Sequence, residues 1–468
     1  MTDGGDHRGG RLGASFRDPS GFVFERDGVL YRQVNRSYAA DYDRLLGSGL
    51  YAALVEKGLL VAHEEVSIAP TGVADAYRIL RPDALRFFSY PYEWCFGQLQ
   101  DAALATLEIQ RIALGFGMSL KDASAYNIQF RDGRPLLIDT LSFESYRAGS
   151  PWVAYRQFCE HFLAPLALIA YRGAALARLM RVHLDGIPLA LARSLLPARA
   201  WLRLQLLLHI ALHARYQRRF EAVGSRSVAA PTPRALSAKS FDNLLAALHG
   251  ACASLAWEPS HTEWADYYAG DSYSEAGDRN KEAAVAEYLD RIRPATVWDL
   301  GGNTGRFSRI ASERGSFTVC FDVDAACVER NYREMRRRRE ARLLPLVMDL
   351  VNPSPALGWA HRERFSLVQR SSADLVMALA LIHHLAIANN VPLPDVAEFF
   401  ASLAPHLVIE FVPKSDPKLQ VLLATREDIF PDYTQPGFER AFAARFEIVD
   451  SRALKGSERA IYLMRRKL

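Results

Sequence analysis

Along the second half of the chain, apolar runs at Thr296–Leu300, Phe317–Asp322, Leu343–Asp349, Leu375–Leu379 and Leu407–Val412 are separated by helix-length stretches. Parallel strands need a long return connection, so this alternation predicts an open parallel sheet with crossover helices. Phe446–Asp450 and Ala460–Met464 are expected to close the sheet as an antiparallel pair. The first half is patterned differently. Phe22–Asn35 carries two β-rich runs around Arg26-Asp27-Gly28, a hairpin signal, and helical periodicity marks Ala39–Lys57, Cys95–Leu114 and Pro151–Phe220.

At 468 residues the chain is too long for one ordinary domain. The Pro-, Ser-, Gly- and Ala-rich stretch Glu221–Ser240 reads as a linker between an α+β domain over 15–220, helical from 151 to 220, and a second domain over 241–468. Residues 1–14 are expected to form a disordered tail, since glycine and charge there offer nothing to pack. No apolar run reaches the ~18–20 residues that a membrane helix needs, and the N-terminus lacks a signal-peptide core, so a cytoplasmic location is expected. Five scattered cysteines, without a CxxC pair or a histidine at ligand spacing, indicate neither a disulfide framework nor a metal site. A net charge of +4 makes nucleic acid an improbable main partner, and the basic run Arg333–Arg342 reads as a solvated helix face.

The chemistry concentrates at Thr296–Ser308, TVWDLGGNTGRFS, where a strand runs through an acid into a glycine-rich turn and then a helix. Glycines let backbone approach a ligand closely, and the following helix offers its free N–H groups. An acid ahead of the turn suits a cationic cofactor better than the pyrophosphate of a dinucleotide. Asp299-Leu-Gly301-Gly-Asn303-Thr-Gly305 resembles motif I of the class I S-adenosylmethionine (SAM)-dependent methyltransferases. The resemblance implies a Rossmann-like seven-stranded methyltransferase sheet with helices on both faces. It implies SAM bound at Asp299, Gly301, Asn303 and Gly305, with Asp322 on the ribose hydroxyls, Asp349 at the adenine amino group and Leu350 flanking the ring. Trp264–Tyr268, Tyr273 and Lys281 resemble the segment that folds over the cofactor in some members.

Ser372–Leu385, with His383-His384-Leu385, resembles members that act on small molecules. No [Asp/Asn]-Pro-Pro-aromatic turn and no Pro-Cys pair is present, which demotes nucleobase methylation. Methyl transfer needs alignment, exclusion of water and often one base, so His383 or His384 is the candidate catalytic residue, with packing or capping as the alternative. Glu410, ending a strand, is a candidate for substrate contact or for a salt bridge.

In the first half, Asp122, Asn127 and Asp139 stand at a spacing that resembles protein kinases and aminoglycoside phosphotransferases. That resemblance implies a kinase-like domain in which Asp122 positions an acceptor hydroxyl while Asn127 and Asp139 hold magnesium for ATP. The Gly-rich phosphate loop and the Val-Ala-Ile-Lys strand are not recognisable, and Thr140-Leu141 follows Asp139, so turns and a surface acid explain these residues equally. The expectation is a SAM-dependent methyltransferase acting on a hydroxyl or amine of a small molecule or glycan, with no metal. Three alternatives stay open: a bifunctional enzyme with an ATP-dependent phosphotransferase, a non-catalytic SAM-binding scaffold, and an RNA methyltransferase gripping phosphates through Arg333–Arg342. Oligomeric state is not legible.

Overall fold

The computed structural model describes residues 11–68, 75–212, 237–259, 275–424 and 427–467. The chain forms two compact units. Unit 1 takes residues 1–85, 89–258 and 356–364, and unit 2 takes 86–88, 259–355 and 365–468. Of the tail expected over 1–14, residues 11–14 are packed instead, with Arg11 bridged to Phe24 and Leu12 N donating to the Val23 carbonyl at 2.8 Å; residues 1–10 and 213–236, Trp264–Tyr268 and Tyr273 lie outside the described residues.

In unit 1, β1 (Gly21–Arg26) and β2 (Val29–Asn35) form the expected hairpin, pairing Arg26 with Val29 across Asp27 and Gly28. Both turn residues have positive φ, 52° and 75°, which matches the right-handed strand twist. With β3 (His63–Glu65) and β4 (Ala76–Pro82) they make an antiparallel sheet of order β1-β2-β4-β3. The stretch Ala39–Lys57 is two helices, Ala39–Gly47 and Leu50–Glu56, divided at Gly49 with φ 87°. Beyond the long helix Phe96–Gly115 come β5 (Met118–Leu120) with β8 (Phe143–Ser145), and the hairpin β6 (Ile128–Arg131) with β7 (Arg134–Leu137). The periodicity after Pro151 is realised as short helical pieces from Tyr155 to Leu212, interrupted at Gly173, Pro188 and Pro197.

Unit 1 reaches past the expected linker. The helix Ala238–Ser254, capped by the Ser237 hydroxyl accepting from Ser240 N, belongs to it. Its Phe241, Leu245, Leu248 and Cys252 are buried, and Gln100 of the long helix donates to the Cys252 and Leu255 carbonyls at 2.8 and 2.9 Å. That apolar face fixes the helix to unit 1, so the boundary expected at 240 lies too early.

Unit 2 is built on β9 (Thr296–Leu300), β10 (Phe317–Asp322), β11 (Leu343–Val347), β12 (Leu375–Ala378), β13 (His406–Phe411), β14 (Phe446–Ala453) and β15 (Ala460–Arg466). They form one seven-stranded sheet of order β11-β10-β9-β12-β13-β15-β14, parallel except at β15, which is antiparallel to both its neighbours. The order reverses beside β9, and open α/β sheets bind ligands at such a switch point, outside the carboxyl ends of the strands. Alternate residues cover two faces. Val297, Met377, Ile461 and Leu463 pack with Tyr288 and Phe307 from the helices Glu275–Ile292 and Arg306–Glu313. On the other face Trp298 meets Phe321 and Phe87 edge-on, while Tyr462 packs on Phe438 of the helix Gln435–Ala443. Helices therefore lie on both faces. The sheet is Rossmann-like, with the seven strands expected from the sequence.

Candidate cofactor and active site

The central strand β9 is buried from Val297 onward and delivers Asp299 and Leu300 to a tight turn. Gly301 N and Gly302 N both donate to the Phe321 carbonyl, tying the turn to β10. At Gly302 a Cβ would lie 2.5 Å from Cys320 Sγ and 2.8 Å from Asp299 Oδ2, so no side chain fits there. Asn303 follows with φ 52°; Asn tolerates this left-handed region, and its Oδ1 accepts from Thr304 N at 2.7 Å.

Asp299 is 1% exposed and accepts a 2.6 Å hydrogen bond from Ser308 Oγ. Burial raises its pKa to about 6, opposed by the Ser308 hydrogen bond and the Lys281 charge. Asp322, at the end of β10, accepts from Asn303 N on Oδ2 and from Asp324 N on Oδ1, each at 2.8 Å. Burial pushes it also to about 6, against those N–H bonds. With a further hydrogen bond from the Val323 N–H, three of the carboxylate's roughly four lone-pair sites are taken, which leaves capacity for a ligand hydroxyl. Asp349 lies two residues past β11, where its Oδ1 accepts from Val351 N.

These residues surround one cavity of about 460 Å³ in unit 2. Asp299, Gly301, Asn303, Asp322, Asp349, Leu350 and His384, all singled out in the sequence, line it. Gly305 and His383 do not. Gly305 caps the helix Arg306–Glu313 with φ 81°, and a Cβ on it would sit 2.5 Å from Asn331 Nδ2, so its glycine serves packing. His383 is 4% exposed beside His384, with ring centroids 4.0 Å apart, and its Nδ1 has no hydrogen-bond partner. Burial lowers His383 well below the usual imidazole range, and the charges of His384 and Arg459 lower it further. Burial, then Arg459 and Lys418, brings His384 down to about 4. Of the pair, His384 alone reaches the cavity, as a neutral imidazole at neutral pH.

His384 opens a π-helical turn, His384–Ala388, a feature frequent at functional sites. Just ahead of it Ala380, also in the cavity wall, holds φ 51° without the excuse of an Asn or Asp side chain. Sequence reasoning missed Asp278, Phe307, Ala380 and Asn389 in the wall, although Phe307 and Ala380 lie inside the segments Thr296–Ser308 and Ser372–Leu385 and Asp278 is three residues from Lys281.

Glu410 departs from the substrate-contact expectation. It is fully buried, paired with Lys281 Nζ at 2.7 Å and Arg459 Nη1 at 3.3 Å, and Arg459 Nε reaches Asp416 at 2.7 Å. The network holds Lys281, whose ammonium lies 4.6 Å from the Phe307 ring centroid, in the cavity wall.

In unit 1, Asp122, Asn127 and Asp139 gather, but around protein partners. Asp122 accepts from Ser124 N and Gln157 Nε2; Asn127 Nδ2 donates to Ser142 Oγ, which donates to Asp139 at 2.6 Å. Arg32 Nη2 lies 2.8 Å from Asp139 Oδ1, filling one side of that carboxylate with a cation. This geometry lends ATP and magnesium no support. The basic run on the helix Ala325–Arg338 pairs with its own glutamates: Arg333 with Glu329, and Arg337 and Arg338 with Glu334. Among the described residues no helix is long and apolar enough to cross a membrane.

No protein-family model matches the chain. Solved structures resemble part of it, two of them as follows. Magnesium protoporphyrin IX methyltransferase ChlM from Synechocystis PCC 6803, with bound SAH, is 17% identical, covering 44% of this chain and 94% of that one at a TM-score of 0.32. N-methyltransferase NodS from Bradyrhizobium japonicum WM9 is 12% identical, covering 42% and 99% at a TM-score of 0.32. Across its whole length the chain is similar to the nodulation protein NoeA of Rhizobium meliloti (strain 1021), 36% identical over 463 residues that make up 98% of this chain and 97% of the relative. On that near full-length similarity, the chain belongs to the NoeA family.

Proposed function

We propose that unit 2 binds SAM at the ends of β9, β10 and β11 and transfers its methyl group to a hydroxyl or amine of a small molecule or glycan. The observation that carries this reading is the convergence of Asp299, the Gly301–Asn303 turn, Asp322 and Asp349 on one cavity at the switch point of the sheet. The residues fit the cofactor. Gly301 and Gly302 bring bare backbone to the cavity wall, Asp322 keeps lone-pair capacity for a ribose hydroxyl, and Met348 and Leu350 give an apolar flank for an adenine beside Asp349. SAM supplies an electrophilic methyl group when bound.

The chain's own task is then to orient an acceptor and to exclude water. His384 contributes a neutral imidazole that can take a hydrogen bond from the acceptor; with its pKa near 4 it is a weak base, suited to an acceptor that loses its proton easily or late. Isothermal titration of SAM and S-adenosylhomocysteine into the full chain tests the reading. Micromolar binding is expected, with Asp322→Ala weakening it at least tenfold, and transfer of labelled methyl to an acceptor panel follows. An absence of SAM binding by the folded wild-type protein sinks the proposal; binding without turnover on any acceptor favours a SAM-binding scaffold.

A further inference from the structure

The helical end of unit 1 has an apolar side turned outward. In Ala198–Leu212 the inner positions are Ala200, Leu206, His209, Ile210 and Ala211, all buried. Leu202, Leu204, Leu208 and Leu212 are exposed at 88%, 59%, 43% and 42%. The last three follow the i, i+4, i+8 spacing that keeps side chains on one side of a helix. An outer helix face is ordinarily polar, and exposed leucines in series mark an interaction surface.

The charges around this strip select its partner. Arg199 just before it and Arg203 within it are exposed, Arg203 Nη1 also donating to the Ser254 carbonyl at 2.8 Å, and from Gly186 to Leu212 the sequence holds three arginines and no acidic residue. Leucines flanked by arginine without acid are the make-up of a helix lying in a membrane interface, where acyl chains receive the leucines and anionic headgroups receive the guanidinium groups. The strip, from Leu202 to Leu212, is far shorter than the ~20 apolar residues that span a bilayer, so the contact it makes is peripheral. We infer that unit 1 docks on an anionic lipid surface through the Leu202–Leu212 strip. This is independent of the chemistry of unit 2.

Vesicle co-sedimentation with the full chain tests it, using phosphatidylcholine vesicles with and without phosphatidylglycerol. The wild-type protein is expected to sediment with the anionic vesicles and to be released as salt rises. Leu204→Ser with Leu208→Ser, both exposed and so compatible with folding, is expected to lower partitioning roughly tenfold or more. Arg199→Glu is expected to lower it roughly fivefold or more at low salt. Circular dichroism and thermal melting beside the wild type confirm that each variant is folded. The inference is overturned if the wild-type protein ignores anionic vesicles, or if both variants bind them as the wild type does. It is equally overturned if the strip instead mediates self-association, seen as a wild-type dimer that the leucine variant dissolves without any change in lipid binding.

Discussion

Asp299 and Asp322 are carboxyl groups raised to about 6 by burial, in a wall that also holds the cavity's glycine turn. The sign of the resulting pH dependence follows from linkage. Between about pH 4 and 6 the folded chain keeps protons that the unfolded chain has released, so ionising these groups costs stability as pH rises through that window. A ligand whose hydroxyls are received by ionised Asp322 pulls the other way. SAM affinity is therefore predicted to fall as pH drops below 6, approaching tenfold per pH unit for a single essential ionisation. In Asp322→Asn the affinity should be low and the slope largely gone, the remainder belonging to Asp299. Titrations at several pH values check this, and an unchanged slope in the variant would assign the dependence elsewhere. The two acids were legible in the sequence because each follows an apolar run; their raised pKa values were not, since burial depends on what packs above them.

At the scale of elements, the strands of unit 2 were readable nearly to the residue, because a buried parallel strand is a short apolar run with polar ends. The expected Leu343–Asp349 strand stops at Val347 so that Asp349 can turn into the cavity wall. What the runs do not carry is the pairing of Lys281, on a helix, with Glu410 in β13 and Arg459 before β15. Three elements far apart in sequence meet there, and no residue alone names its partner. Removing one member leaves an unbalanced buried charge. Glu410→Gln is predicted to cost about 3–5 kcal/mol in chemical denaturation. Pairing Glu410→Leu with Lys281→Met leaves Arg459 with Asp416 and should restore part of that loss. If the double variant recovers stability yet still binds SAM weakly, Lys281 acts on the ligand; if affinity returns as well, the network is only structural.

On the scale of the whole molecule, the sequence suggested two halves divided near residue 240, and the structure assigns short segments otherwise. Three residues, Arg86–Phe88, belong to unit 2, where Phe87 is 4% exposed against Trp298 and Phe321 and Arg370 donates to the Phe88 carbonyl. So short a piece has no periodicity to read, which is why the sequence hid it. Phe87→Ala should open a cavity beside β9 and destabilise unit 2 by about 3–5 kcal/mol, in the range for a buried phenylalanine. A fragment beginning at residue 259 lacks Phe87 altogether and is expected to melt earlier than unit 2 does in the full chain. Thermal scans of the variant and the fragment, monitored by SAM protection, test both; no shift in either would mean that Phe87 only decorates the core.

Unit 1 in turn owns residues 356–364, with Glu363 held by Arg17 at 2.6 Å. During synthesis, residues 259–355 leave the ribosome first, a delay of roughly 5–20 s at 5–20 residues per second. For that interval the nascent unit 1 has Arg17 in place while the partner of Arg17 has yet to be translated.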